Sequence, residues 1–127
     1  MELAFTCPAE EMRVRSCQCD FCTRQGSLTV SEAAGRAVIT VAADQLKTYN
    51  FGTQTATFLI CARCGVYAGV IMTDGDKLVS IANARGLGIE AFKHRDGAQL
   101  THDDESTPER IQRRKQRWTP TEIHFKL

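Results

Sequence analysis

Five of the six cysteines in this 127-residue chain fall into two tight clusters, Cys17-Gln18-Cys19-Asp20-Phe21-Cys22 and Cys61-Ala62-Arg63-Cys64-Gly65. Spacings of two and three residues let sulfurs converge on one metal ion. They suit disulfides poorly, because a native bridge needs a defined Cα separation. If Cys17 and Cys19 leave a strand, their side chains share a face, and a turn through Asp20 and Phe21 brings Cys22 round as a third ligand. Zinc–sulfur bonds of about 2.3 Å fix how close the three must come. Three thiolates leave a fourth tetrahedral position; structural zinc sites are normally closed by four protein ligands, whereas catalytic ones keep a position open. The second cluster has the pattern of a zinc knuckle, with Gly65 able to take a left-handed conformation in a tight turn between two strands. Five ligands are one too many for a closed tetrahedral site. Either the clusters share one Zn2+ with a thiol to spare, or there are two sites.

The rest of the chain reads as one mainly β, mainly antiparallel domain over residues 1–127. A hydrophobic content of 43% is enough for one core. Strands are expected at residues 2–6, 13–16, 37–41, 57–60, 66–72, 77–81 and 121–127, the last a closing edge strand because it alternates polar and apolar residues. Thr73-Asp74-Gly75-Asp76 is a hairpin signal. Residues 43–46 suit one helical turn. Ser106-Thr107-Pro108-Glu109 starts a helix running to about Arg117, and the polar stretch 95–105 reads as a loop. A net charge of +1, from 16 basic and 15 acidic residues, points neither to nucleic acid nor to an anionic membrane. No apolar run approaches the roughly 20 residues of a membrane helix. The start has no basic n-region, so no signal peptide is expected, and six cysteines without a leader are expected as thiols and metal ligands in the cytoplasm.

The run from Cys17 through Arg24-Gln25-Gly26-Ser27, followed by Cys61-Ala62-Arg63-Cys64-Gly65-Val66-Tyr67, resembles the family of glutathione-dependent formaldehyde-activating enzymes, which includes the centromere protein V type domain. The resemblance runs from about Arg13 through the strand after Gly65, and more loosely to Trp118. It implies an Mss4-like fold (a β-tent), a catalytic zinc with an open position on Cys17, Cys19 and Cys22, and a share in a structural zinc for Cys61 and Cys64. In such proteins an earlier Cys-x-Cys completes the structural site, and this chain lacks it. Either the start of the protein lies upstream of Met1, or the structural site is degenerate and Cys61 and Cys64 bind zinc weakly or not at all. Cys7 lies at the far end of the first strand, more than about 10 Å away at 3.3 Å per residue, and reads as a small buried hydrophobe.

Three thiolates on Zn2+ leave it a poorer Lewis acid than three histidines would. Its natural task is to hold an incoming thiol as thiolate rather than to make hydroxide. The function the resemblance implies, which fits this chemistry, is a zinc-dependent carbon–sulfur lyase, S-(hydroxymethyl)glutathione synthase-like, adding a thiol such as glutathione to formaldehyde or a related aldehyde. The alternative is a non-catalytic zinc-stabilised β module that binds protein or nucleic acid. Arg24 is placed to offset the site's charge or meet a substrate carboxylate, and Gln25 and Ser27 to line the pocket. His94, His102 and His124 are isolated and read as surface residues. Arg110, Arg113, Arg114 and Arg117 share one helix face at i, i+3, i+4 and i+7. That face reads as solvated, beside the acidic run at residues 103–105, in preference to a nucleic-acid contact. Trp118 is expected to anchor the helix to the core.

Overall fold

The computed structural model describes residues 2–50, 55–102 and 104–126. Ten strands and two α-helices follow one another along the chain: β1 (Glu2–Phe5), β2 (Arg13–Cys17), α1 (Asp20–Gln25), β3 (Thr29–Ser31), β4 (Ala37–Ala42), β5 (Leu46–Tyr49), β6 (Thr57–Cys61), β7 (Tyr67–Asp74), β8 (Lys77–Asn83), β9 (Ala98–Leu100), α2 (Thr107–Arg117) and β10 (Thr119–Lys126). The protein is thus mainly β and mostly antiparallel, with one short C-terminal helix. The expected turn at 43–46 is a single 3-10 turn, Ala43–Gln45. The hairpin at Gly75 forms with that glycine left-handed, pairing Asp74 with Lys77.

β8 organises the sheet. One of its edges pairs with β7 from Lys77 to Ala82. Its other edge is shared: Val79 and Ser80 pair with the start of β10, and Ala82 and Asn83 pair with β3. Where β3 and β10 part, the Thr119 hydroxyl accepts the Glu32 N–H at 2.8 Å. β10 then runs parallel to β4 from Thr121 to Lys126. Two sequence expectations are corrected here. β10 is not an edge strand but bridges β8 and β4, and its exposed polar residues reflect open faces rather than an open edge; Leu127 lies outside the described residues. The stretch 95–105 is not all loop, since Ala98–Leu100 adds to β2 as a parallel strand.

A bulge sets which side chains meet beneath the site. Leu59 faces Gly69 and Ile60 faces Tyr67, so Ala68 is one residue extra on β7. The alternation slips there, and Tyr67 joins Val70, Met72, Val79 and Trp118 in one buried cluster while Ala68 packs with Ile39 and Leu59 in another. Gly69 is needed beside the bulge: a Cβ there would lie 2.6 Å from the Ile81 carbonyl oxygen. A third cluster, including Met12, Val14, Leu28, Val30 and Phe92, supports β2 and β3.

Candidate metal centre and its cavity

Each sulfur of the triad is placed by a different piece of local structure. Cys17 is the last residue of β2, held between antiparallel β3 and parallel β9, and the Gln18 N–H continues that ladder to the Leu100 carbonyl at 2.8 Å. Cys19 is the N-cap of α1, where its Sγ accepts the Cys22 N–H at 3.4 Å. Cys22 lies in the first turn and is buried. The helix stops after six residues at Gly26, which is left-handed at φ 58°. Phe21 fixes the helix from the other side, meeting Phe58 and Tyr67 edge-on with ring centroids 4.9 Å apart in each case. Asn83 ties the segment after α1 to the sheet: its Oδ1 accepts the Leu28 N–H at 3.0 Å and its Nδ2 donates to the Tyr67 carbonyl at 2.9 Å. The sulfurs therefore converge through a strand end, a cap and a helical turn, not through two side chains of one strand.

The three Sγ atoms all lie within 4.8 Å of one another. A tetrahedral zinc with 2.3 Å bonds sets sulfurs about 3.8 Å apart, so the donor set fits such an ion with slight contraction. Its electrostatics fit too. Hydrogen bonds from the Cys17 and Cys22 thiols hold Cys19 well below the ordinary thiol range, while the same contacts push Cys17 and Cys22 up. Three thiolates this close repel unless a cation lies between them. Cys61 and Cys64 do not join the triad. They flank the turn between β6 and β7, with Gly65 left-handed at φ 78° and its N–H bonded to the Cys61 carbonyl at 2.8 Å. Backbone N–H groups of Cys64 and Arg63 lower the Cys61 thiol, as in a knuckle. Among the described residues no third metal-ligating side chain completes this pair. Cys7 is half-buried, its Sγ 3.9 Å from Glu11 Oε2.

The triad opens onto a cavity of about 220 Å³. Phe58, Tyr67 and Trp118 form its aromatic wall, Arg15, Arg110, Arg113, Arg114 and Arg117 bring the charge, and His102 also lines it. Arg24, Gln25 and Ser27 are not among the lining residues. Arg24 and Gln25 are exposed on α1, and Ser27 is buried, donating from Oγ to the Cys22 carbonyl at 3.3 Å.

Two further expectations are overturned. Most of the arginine face of α2 is not solvated: Arg114 is 9% exposed and Arg110 and Arg113 are half-buried, and only Arg117, at the end of the helix, is exposed. The acidic run contributes Glu105, which takes Arg113 in a bidentate pair at 2.8 and 3.1 Å and lies 3.8 Å from Arg110 Nε; Asp103 lies outside the described residues. Arg114 donates from Nη1 to Thr55 Oγ1 at 2.7 Å and lies over the Trp118 ring at 5.1 Å. Trp118 is buried and anchors the helix as expected. His102 is a lining residue rather than a surface one, with its pKa lowered by burial and by Arg113; His94 and His124 are exposed. The helix composition carried a signal for the inward face. Within Thr107–Arg117 only Ile111 is aliphatic, so this helix can bury a face only by burying arginines.

No protein-family model matches the chain, and no curated protein matches it. A solved structure of a Rhodobacter sphaeroides protein is similar in fold: TM-score 0.54 at 24% identity, covering 78% of this chain and 89% of that one. Among the described residues no helix is long and apolar enough to cross a membrane.

Proposed function

We propose that this protein is a zinc-dependent carbon–sulfur lyase of the formaldehyde-activating type, joining a thiol such as glutathione to formaldehyde or a related aldehyde. One observation carries the reading: three thiols within 4.8 Å of one another open onto a cavity and are not closed by a fourth side chain among the described residues. The cysteine motif's resemblance to that family and the Mss4-like fold it implies support it. Zinc held by Cys17, Cys19 and Cys22 would supply a position at which an incoming thiol sheds its proton. Addition forms a sulfur–carbon bond, moves the carbonyl π pair onto oxygen, and returns a proton to that oxygen. His102 lines the same cavity, its pKa lowered by burial, and would be the residue to carry the proton from sulfur to oxygen. The cavity beside the triad would supply proximity, the main need of an addition that is already easy uncatalysed.

A non-catalytic module would need a fourth protein ligand and an outward basic surface. No fourth ligand lies with the triad among the described residues, and the buried Arg114 and half-buried Arg110 and Arg113 turn most of the basic face away from solvent. The test is exchange NMR between formaldehyde and its glutathione adduct, with zinc-loaded full-length chain. Faster exchange that disappears together with zinc in Cys19→Ser is expected. Full zinc occupancy with no acceleration for glutathione or other small thiols, or acceleration surviving without zinc, would overturn the reading.

A further inference from the structure

Five guanidinium groups line the cavity, Arg15 from β2 and Arg110, Arg113, Arg114 and Arg117 from α2, and no described lining residue is acidic. Glu105 answers Arg113 and partly Arg110. The other contacts are to neutral atoms: Arg15 Nη1 donates to Ser31 Oγ at 2.7 Å, Arg114 Nη1 to Thr55 Oγ1, and Arg110 Nη2 to the His102 carbonyl at 3.2 Å. With a divalent ion the triad carries a single negative charge, so, leaving aside the exposed Arg117, the cavity keeps a surplus of roughly two positive charges. Burial and its arginine neighbours bring Arg114 down to about 10, still charged near neutrality. Like charges crowded along one cavity are costly unless a partner neutralises them. Guanidinium groups match the planar carboxylate and the phosphate oxygens in bidentate geometry.

We propose that α2 is an anion-recognition wall of the metal cavity, in which Arg110 and Arg114, assisted by Arg15 and Arg113, bind the oxyanion end of a small, multiply charged ligand. The substrate class is a compact thiol, or thiol adduct, bearing paired carboxylates or a phosphate; a neutral thiol leaves the surplus charge unanswered. The identity of the reacting end rests on the proposed function, whereas the anion site stands without it.

The experiment uses the full chain loaded with Co(II), whose visible bands report a sulfur ligand at the triad, and needs no turnover. Mercaptosuccinate is titrated against 2-mercaptoethanol, and inorganic phosphate or succinate is then added as competitor at constant ionic strength. Mercaptosuccinate should bind at least about tenfold more tightly than the neutral thiol, the range a charged hydrogen bond supplies. Arg110→Gln should erase most of that advantage, weakening mercaptosuccinate far more than 2-mercaptoethanol. Competition by phosphate alone assigns a phosphorylated ligand, and competition by succinate a carboxylated one. Equal affinity for both thiols, or a preference that survives in Arg110→Gln and in a second variant, Arg113→Lys, whose folds are checked by circular dichroism, overturns the proposal. If anion preference is present but no thiol accelerates aldehyde exchange, the lyase reading fails and the anion site remains.

Discussion

Cys19 is at once a metal donor and the N-cap of α1, and the two roles separate under substitution. Serine is among the best caps but a poor zinc ligand. Cys19→Ser should therefore keep the helix, read by circular dichroism, while metal content falls from about one ion per chain to a small fraction of that. Loss of helix with zinc retained would show that the cap, not the thiolate, is what matters. Acid sensitivity belongs to two neighbours. His102 is lowered by burial and by Arg113. Glu105 is raised by burial, but the Arg113 hydrogen bonds and charge outweigh that and leave it low. Both have folded pKa values below their unfolded ones, so each contributes stability that is complete above its unfolded pKa, about 6.5 for histidine and 4.3 for glutamate, and is lost as pH falls. Thermal stability should decline as pH falls through about 6.5, and again as it falls through about 4.3. Glu105→Gln should flatten the lower step, and a lower step unchanged in that variant would remove Glu105 from the account. At this scale the triad was legible because spacing alone restricts where sulfurs can go. The roles of His102 and the arginines were not. Periodicity places four arginines on one face but says nothing about which way that face turns, and residues far apart in the chain decide it.

Among the elements, α2 was the clearest in advance. Ser106 and Glu109 form a reciprocal capping box, with Ser106 Oγ accepting the Glu109 N–H at 3.2 Å and Glu109 accepting the Ser106 N–H at 3.0 Å. Because this cap fixes where the arginine face begins, Ser106→Ala should cost about 1 kcal/mol in denaturant unfolding. It should also weaken anionic thiols more than neutral ones; an equal effect on both would detach the cap from the site. β9 and α1 were hidden for opposite reasons. Ala98–Leu100 has no alternation to read and is a strand only because β2 lies beside it. Asp20–Gln25 is too short to show a period, and its helical state rests on the Cys19 cap, Gly26 and the Phe21 anchor. β10 shows the limit of alternation: it reports which faces are wet, not which edges are paired. Gly69 offers a check on the bulge that places Tyr67. A Cβ 2.6 Å from backbone oxygen cannot be relieved by a side-chain shift, so Gly69→Ala should destabilise by about 1–3 kcal/mol.

For the whole molecule, the question is how much of the fold depends on the metal. β2 is paired on both edges, Phe21 pins α1 into the aromatic cluster, and Asn83 ties the following segment to the sheet. None of these contacts involves a sulfur, so the sheet should survive chelation. What is lost is the ligand-linked contribution. An ion present at a hundredfold over its dissociation constant stabilises by about 2.7 kcal/mol, which for a chain of this size corresponds to roughly 10 °C in Tm. Removing zinc should thus lower Tm by about that much, with the β signal in circular dichroism retained at 25 °C and β2–α1 the first segment to gain hydrogen exchange. Elemental analysis should find about one zinc per chain, because Cys61 and Cys64 have no third donor among the described residues. Two tightly held ions would mean that another ligand completes the knuckle, and the chelation shift would then be larger. Complete unfolding on chelation would show the metal, rather than the paired edges of β2, to be what holds this half of the molecule; an unchanged Tm with zinc gone would show that the triad contributes nothing to stability. The intermediate result is expected because the triad lies at the end of a sheet that closes without it.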